Sequence, residues 1–279
     1  MTEAATTRLA RWRADLATWA IPAEILAQAP DTPWIPERAV FIRRALARTA
    51  APGGASYRRA AEALPPGGTI LDIGAGAGAA SLPHLAHAAS LVAVDADATL
   101  LAELVRQAGP AVTRVRTVIG RWPDVAADVG AADVVVCHHV LYNVPDLEPF
   151  VAALAAHARR RVVIEITPAH PLTRLNPLWE RIHGLRRPTR PTSTDAAETI
   201  RSLGHAVEVE REELPADPRG GTWDELVATT ARRLCLRPER SNDVAAALEA
   251  EGAHPDDPTT WTPPRRSVVT LWWDVPPPG

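Results

Sequence analysis

Lysine is missing altogether: the 30 side chains counted as Lys plus Arg among 279 residues are all arginine. That removes a phosphate-loop lysine, a Schiff base to pyridoxal phosphate and the Tyr/Lys pair of a dehydrogenase. Cysteine is almost as scarce, and Cys137 and Cys235 make neither a disulfide framework nor a metal cluster, so no metal is expected. No apolar run approaches the roughly 18 residues that span a bilayer. The start, Met1-Thr2-Glu3-Ala4, lacks the basic and apolar regions of a secretory signal, so the expected location is cytoplasmic, away from the membrane. A net charge of −3 provides no positive excess for a broad nucleic-acid surface, and no nucleic-acid partner is expected. The oligomeric state is not written in these features.

What is present is a chain 46% hydrophobic, enough for a substantial core with an elaboration. Residues 1–64 read as a helical extension or lid, with three-to-four spacing in Arg8 to Trp19, Pro36 to Arg48 and Ser56 to Leu64. From residue 65 the pattern changes to short apolar strands alternating with helices. The strands are Thr69–Ile73, Leu91–Asp95, Val112–Ile119, Ala132–Cys137 and Arg161–Ile166; the helices are Ala79–Ala89, Ala98–Gln107 and Leu147–Ala156. Such alternation predicts an α/β fold with a doubly wound, mostly parallel sheet covered on both faces. Two alternating runs, Ala206–Glu210 and Ser267–Trp273, bring the sheet to seven strands with an antiparallel last one. The helical stretches Trp223–Leu236 and Asp243–Glu251 between them form a cap inserted at about residues 215–264.

The first strand runs into Asp72-Ile73-Gly74-Ala75-Gly76-Ala77-Gly78. Glycines allow a tight turn and a close backbone approach to a ligand, and a following helix would offer free N–H groups. About 20 residues on, Asp95 ends the next strand, where a carboxylate can accept hydrogen bonds from a ribose diol. Strand, turn, helix, strand and terminal acid together indicate a nucleoside-type cofactor. Gly74-Ala75-Gly76-Ala77-Gly78-Ala79 also satisfies the dinucleotide pattern. The Asp72 carboxylate, however, suits an ammonium and a sulfonium better than a pyrophosphate. The closing strand pair and the absence of a second catalytic domain point the same way.

Residues Thr69 to about Ile166, with the final strand pair, resemble a class I S-adenosylmethionine-dependent methyltransferase. The resemblance implies that Asp72, Gly74, Ala75, Gly76 and Gly78 surround the methionine end of S-adenosylmethionine, whose product is S-adenosylhomocysteine. It implies that Asp95 and its neighbour Ala96 meet the ribose, and that Gly120-Arg121-Trp122 borders the adenine. Many relatives carry an acid where this chain has Arg121 and Trp122; Asp124 is close by, and Trp122 either covers the base or packs in its own loop.

Cys137-His138-His139-Val140-Leu141-Tyr142-Asn143 leaves the fourth strand at the carboxyl edge of the sheet, where ligands bind in doubly wound folds. His138, His139 and Tyr142 are candidates to deprotonate and orient a nucleophile, His139 first among them, with His138 also able to border the cofactor. The stretch lacks the Asn/Asp, proline pair and aromatic of nucleic-acid amino-methyltransferases. Glu165 ends the fifth strand near the same cleft, and His170, Asn176, Trp179 and His183 follow it. Trp12, Trp19, Trp34, Tyr57 and Trp223 are candidates for an apolar lid, and Arg58 and Arg232 for meeting an anionic substrate. The expected activity is methyl transfer by in-line displacement to an oxygen or nitrogen of a small molecule. An RNA or protein methyltransferase, a non-catalytic cofactor-binding regulator and an NAD-dependent oxidoreductase remain as alternatives.

Overall fold

The apolar runs become strands of one sheet in a computed structural model that describes residues 2–34, 37–215, 222–261 and 265–276. Helices α1 (Glu3–Ala17), α2 (Ala23–Leu26), α3 (Arg38–Ala50) and α4 (Ala55–Ala63) precede β1 (Thr69–Ile73). Then come β2 (Ser90–Asp95), α5 (Ala98–Ala108), β3 (Val115–Ile119), β4 (Ala132–His138), α6 (Leu147–Ala156) and β5 (Ala158–Ile166). They are followed by α7 (Asn176–His183), α8 (Ser193–Ser202), β6 (Glu208–Pro215), α9 (Trp223–Arg233), α10 (Ser241–Ala250) and β7 (Arg265–Asp274). The seven strands lie in the order β3-β2-β1-β4-β5-β7-β6. The first five are parallel, and β7 runs antiparallel between β5 and β6.

The period of two along each strand divides the core into layers. Leu71, Ile73, Val135, Cys137, Val162 and Ile164 face α6 and α8, with Phe150, Leu154 and Ile200 and the indole of Trp12 from α1. Ile70, Val134, Val136 and Val163 point the other way, onto Ala60 of α4 and Leu101 and Leu104 of α5. The N-terminal helices thus serve both faces. A third cluster joins α7, α9 and α10 through Leu178, Trp179, Val227, Leu234, Val244 and Leu248, with Ile21 from the start of the chain. The helices between β6 and β7 are held by this cluster of their own.

Residues 79–89 depart from the expected Ala/Leu helix: only Leu82–His84 form a 3-10 turn. Pro83 has no N–H to give, and Ser81 and His84 turn inward instead of lying on a helix surface. Ser81 donates to Asp72, and the His84 ring stacks on Tyr57 at 4.5 Å. The glycine turn therefore opens no helix of its own. Several strand bounds shift: β3 starts at Val115 behind a 3-10 turn over Gly109–Arg114, β5 starts at Ala158, β6 starts at Glu208 and extends to Pro215, and β7 starts at Arg265. Pro36, expected to begin α3, lies outside the described residues. The helices α7 and α8 were not foreseen; Thr192 and Asp195 form a capping box that starts α8.

An aromatic seam joins the N-terminus to the segment after β5. Trp12 stacks on Tyr142 at 6.1 Å, Tyr142 tilts against His170 at 5.4 Å, and His170 stacks on Trp19 at 3.9 Å. Arg187 lies over Trp19 at 5.6 Å and over Trp179 at 5.0 Å. The indole N–H groups of Trp12 and Trp19 donate to the carbonyls of Val144 and Arg190. These two tryptophans are buried packing residues, not an apolar lid.

Candidate active site

At the carboxyl end of β1 the chain reverses through three glycines with positive φ: Gly74 at 70°, Gly76 at 51° and Gly78 at 92°. Gly74 and Ala75 both donate to the Val94 carbonyl, which ties the turn to β2. A Cβ on Gly74 would lie 2.3 Å from Val140 Cγ2, so that position needs glycine both for its backbone and for its neighbour. Asp95 holds the turn from the other side: its Oδ2 accepts from Gly76 N and its Oδ1 from Asp97 N, both at 2.8 Å. Two N–H groups thereby fix the plane of the Asp95 carboxylate and leave lone pairs for hydroxyl donors.

Asp72 is fully buried beneath this turn. Ser81 Oγ donates to its Oδ2 at 2.6 Å, while Oδ1 has no hydrogen-bond partner among the described residues. Burial pushes the Asp72 carboxyl up to about 7, the Ser81 hydrogen bond opposing and the Asp95 charge adding to the rise. A buried carboxylate with one orphan oxygen calls for a cation.

Helix α3 lies across the carboxyl edge of the sheet and reads as a stripe of residues about three or four apart. Arg38 Nε donates to Asp97 Oδ2 at 2.8 Å, just past β2. Phe41 Cδ1 comes within 3.6 Å of where a Gly76 Cβ would stand, over the turn itself. Ala45 packs with Ala77 and Leu100. Arg48 Nη2 reaches β5 and donates to both Glu165 oxygens, at 3.1 and 3.2 Å. One helix spans from the β2 end to the β5 end.

Glu165, 1% exposed, is the centre of a polar cluster drawn from four elements and the loop after β4. Besides Arg48, Ser56 Oγ at the start of α4 donates to its Oε2 at 2.6 Å, and Arg266 Nη1 from β7 stands 3.7 Å from Oε1. His139 Nε2 lies 3.2 Å from Glu165 Oε1, and His139 N donates to the Glu165 carbonyl at 2.6 Å. His139 has φ of 60°, a left-handed conformation rare for a residue with a Cβ. Strain of this kind persists where the surroundings over-determine it, and here β5 grips the residue by backbone and side chain. Burial pushes the Glu165 carboxyl up, but the close approach of the His139 ring and the Arg48 guanidinium hold it well below the usual carboxylate range. Burial lowers the His139 imidazole; Glu165 opposes this, and the charges of Arg44 and Arg266 add to it. His139 is thereby kept as a neutral imidazole with an adjacent carboxylate to receive an imidazolium charge.

The other expected residues are distributed as follows. Ala96 is exposed beside Asp95. His138 has an enclosed Nε2 with no partner among the described residues, and burial lowers its pKa to about 3. Tyr142 donates its hydroxyl to the Thr167 carbonyl at 2.7 Å within the aromatic seam. Arg121 is exposed; Trp122 packs edge-on against His157 at 4.9 Å with its indole N–H enclosed and without a partner among the described residues. His170, Asn176 and His183 bond to nearby backbone, and Trp179 is core. Tyr57 stacks on His84, Trp223 packs in the cluster of α9 and α10, and Trp34 is 38% exposed. Arg58 pairs with Glu210 and Arg232 donates to the Thr32 carbonyl. Residues the sequence did not single out are Phe41, Arg44, Arg48, Ser56 and Arg266, together with Ile119, 63% exposed and paired with Asp95 across β2 and β3. The stripe 38, 41, 45, 48 was the available signal for α3.

Among the described residues, no helix is long and apolar enough to cross a membrane, and no group of three His, Cys, Asp or Glu side chains could hold a metal ion. The profile of a methyltransferase-domain family matches residues 42–208. A cyclopropane-fatty-acyl-phospholipid synthase-like protein from Lactobacillus casei ATCC 334 shares the fold with a TM-score of 0.52, at 18% identity over 90% of this chain and 97% of its own. A putative methyltransferase from Bacillus halodurans C-125 does so with a TM-score of 0.51, at 13% identity over 80% of this chain and 100% of its own. No curated protein sequence matches the chain. On the family match and the sheet order, the chain belongs to the class I S-adenosylmethionine-dependent methyltransferases.

Proposed function

We propose that this enzyme methylates an oxygen or nitrogen of a small molecule, with His139 taking the proton of the acceptor. The observation that carries the reading is His139 itself: a strained imidazole at the carboxyl end of β4, held by Glu165 and kept neutral beside the glycine turn. When bound, S-adenosylmethionine supplies an electrophilic methyl group on a sulfonium. The chain has then to exclude water, align an acceptor and remove a proton. Helix α3 lies over the turn, and α9 and α10 are inserted between β6 and β7, whose adjoining ends stand at the same edge as His139. That arrangement favours an enclosed small acceptor, with α3 of the N-terminal segment acting as the lid. His138 borders the site as a neutral ring, and Tyr142 positions the loop after β4 through Thr167.

His139→Ala should lower methyl transfer by about 100-fold or more while changing affinity for S-adenosylhomocysteine by less than about twofold. Equal turnover would make this histidine a packing residue. The acceptor class is read by incubating the enzyme and labelled S-adenosylmethionine with a cell extract. Label in the small-molecule fraction is expected; label in RNA or protein would overturn the proposal.

The orphan oxygen of Asp72 suits the ammonium of the cofactor, and Asp95 suits its ribose hydroxyls. A pyrophosphate would meet the Asp72 carboxylate as a like charge. The pH dependence follows from the sign of the shift. With Asp72 raised to about 7, the ligand-free protein keeps that proton below neutrality and loses the associated stability as pH rises through 7. An ammonium favours the ionised form, so cofactor affinity should rise roughly tenfold from about pH 6 to about pH 8. Calorimetric titrations at both values check this, and Asp72→Asn should flatten the slope. A wild-type affinity that is flat or falls with pH would remove Asp72 from the ammonium.

A further inference from the structure

Helix α3 is held at its two ends by different parts of the molecule. Ahead of it, Ile21, Ile25 and Ala29 pack into the cluster of α7, α9 and α10, and Pro33 is buried. Two arginines in the last turn of α9 then grip the chain. Arg233 Nη1 donates to the carbonyls of Pro33 and Trp34, at 2.8 Å each, and Arg232 Nη1 to that of Thr32 at 2.7 Å. Residues 32–34 lie outside helix and strand, so these guanidiniums supply the donors that regular structure would. Burial and the Arg232 charge push the Arg233 guanidinium down to about 10, as befits a cation drawn out of water. Ala231, Leu234 and Leu236 beside them are buried, so the grip rides on a packed helix end. At its other end α3 is tied to β5 through Arg48 and Glu165. Between these points its hold on the sheet is thin: Ala45 is the one buried residue of α3, and the Arg38 side chain that meets Asp97 is 58% exposed.

Resting on the reading of α3 as the lid and of α9 and α10 as the cover of the acceptor, we propose that the Arg232–Arg233 clamp couples cofactor closure to acceptor closure. With Phe41 standing over Gly76, the glycine turn is reached only as α3 lifts. An exposed pair such as Arg38 and Asp97 yields more readily than three charge-assisted hydrogen bonds from half-buried guanidiniums. Helix α3 therefore parts from the sheet while the segment that enters it stays with the cap. Conversely, a ligand held between Phe41 and the turn keeps α3 down and, through residues 32–34, keeps the end of α9 in place. Coupling of this kind is reciprocal, so an acceptor that closes the cap also slows cofactor release. The two states that the clamp links are α3 seated on the turn and α3 lifted from it.

The test is hydrogen exchange of the full chain, read by mass spectrometry with and without saturating S-adenosylhomocysteine. In the wild type the ligand should slow exchange by about fivefold or more in residues 38–47 and also in residues 223–236. With Arg232→Gln and Arg233→Gln combined, protection of 38–47 should remain while that of 223–236 falls below about twofold. Stopped-flow association and dissociation of the same ligand should both quicken by about fivefold in this variant, with Kd changed by less than about twofold. Arg233→Gln alone is gentler on the fold and should move each readout in the same direction. A cap indifferent to the ligand in the wild type, which needs no variant to fold, would overturn the coupling. So would a cap equally protected in wild type and variants. Failure of the lid is distinguishable: residues 38–47 left unprotected in the wild type would dismiss the lid and the coupling together, whereas a protected α3 beside an indifferent cap dismisses the clamp alone.

Discussion

Arg48→Ala is expected to destabilise the protein by about 3 kcal/mol, because it strips a buried carboxylate of the guanidinium nitrogen that contacts both its oxygens. Glu165 is 1% exposed and would keep only Ser56 as a donor, with His139 and Arg266 at 3.2 and 3.7 Å. The substitution also cuts the link from α3 to β5. Urea unfolding at neutral pH measures the loss. The pH dependence carries a sign: a carboxyl held below its ordinary value stabilises the fold above that ordinary value and gives up the stability as pH falls through the folded value. Without Arg48 the folded value rises, so acid unfolding should begin at a higher pH. Adding Glu165→Gln to Arg48→Ala should recover part of the stability, since the unpaired charge has gone. A loss below about 1 kcal/mol in the single variant would mean that Arg48 behaves as an ordinary surface cation.

Asp95→Ala should weaken S-adenosylhomocysteine binding by about 1.5–3 kcal/mol, roughly a factor of 10 to 150. The carboxylate has two tasks. It accepts from Gly76 and Asp97, which shapes the turn, and its remaining lone pairs face the ribose in the proposed assignment. Calorimetry of the variant alongside its thermal melt separates the tasks: a preserved melt with lost affinity is the expected pairing. Unchanged affinity in a folded variant would take Asp95 out of the cofactor site.

The sheet and its glycine turn could be read in the chain because each rests on local pattern. Strands such as Val134-Val135-Val136 are buried on both faces and admit only apolar side chains, and the turn needs glycine where φ is positive. Asp72 and Asp95 were legible because strand ends fix where their side chains emerge. Segment 79–89 misled because its Ala and Leu content matches a helix, while Pro83 and the inward Ser81 and His84 decide otherwise. The acceptor side was legible only in part. His139 and Glu165 stood out at strand ends, but Arg48 and Arg266 are two of 30 arginines in a lysine-free chain. Their convergence depends on where α3 and β7 dock, a long-range property that spacing does not encode. Trp122 packs edge-on against His157, a contact that its loop position did not reveal.

Positions 74 and 140 cannot drift independently. Val140 Cγ2 occupies the space that a Gly74 Cβ would claim, and the residue before Val140 is His139. A side chain gained at 74 would push the loop after β4 and displace the imidazole, so on the proposed roles a lesion in the glycine turn would be scored in an assay as a defect of chemistry. An evolutionary path that enlarges 74 has to shrink 140 first, which makes the two positions a ratchet between the halves of the active site.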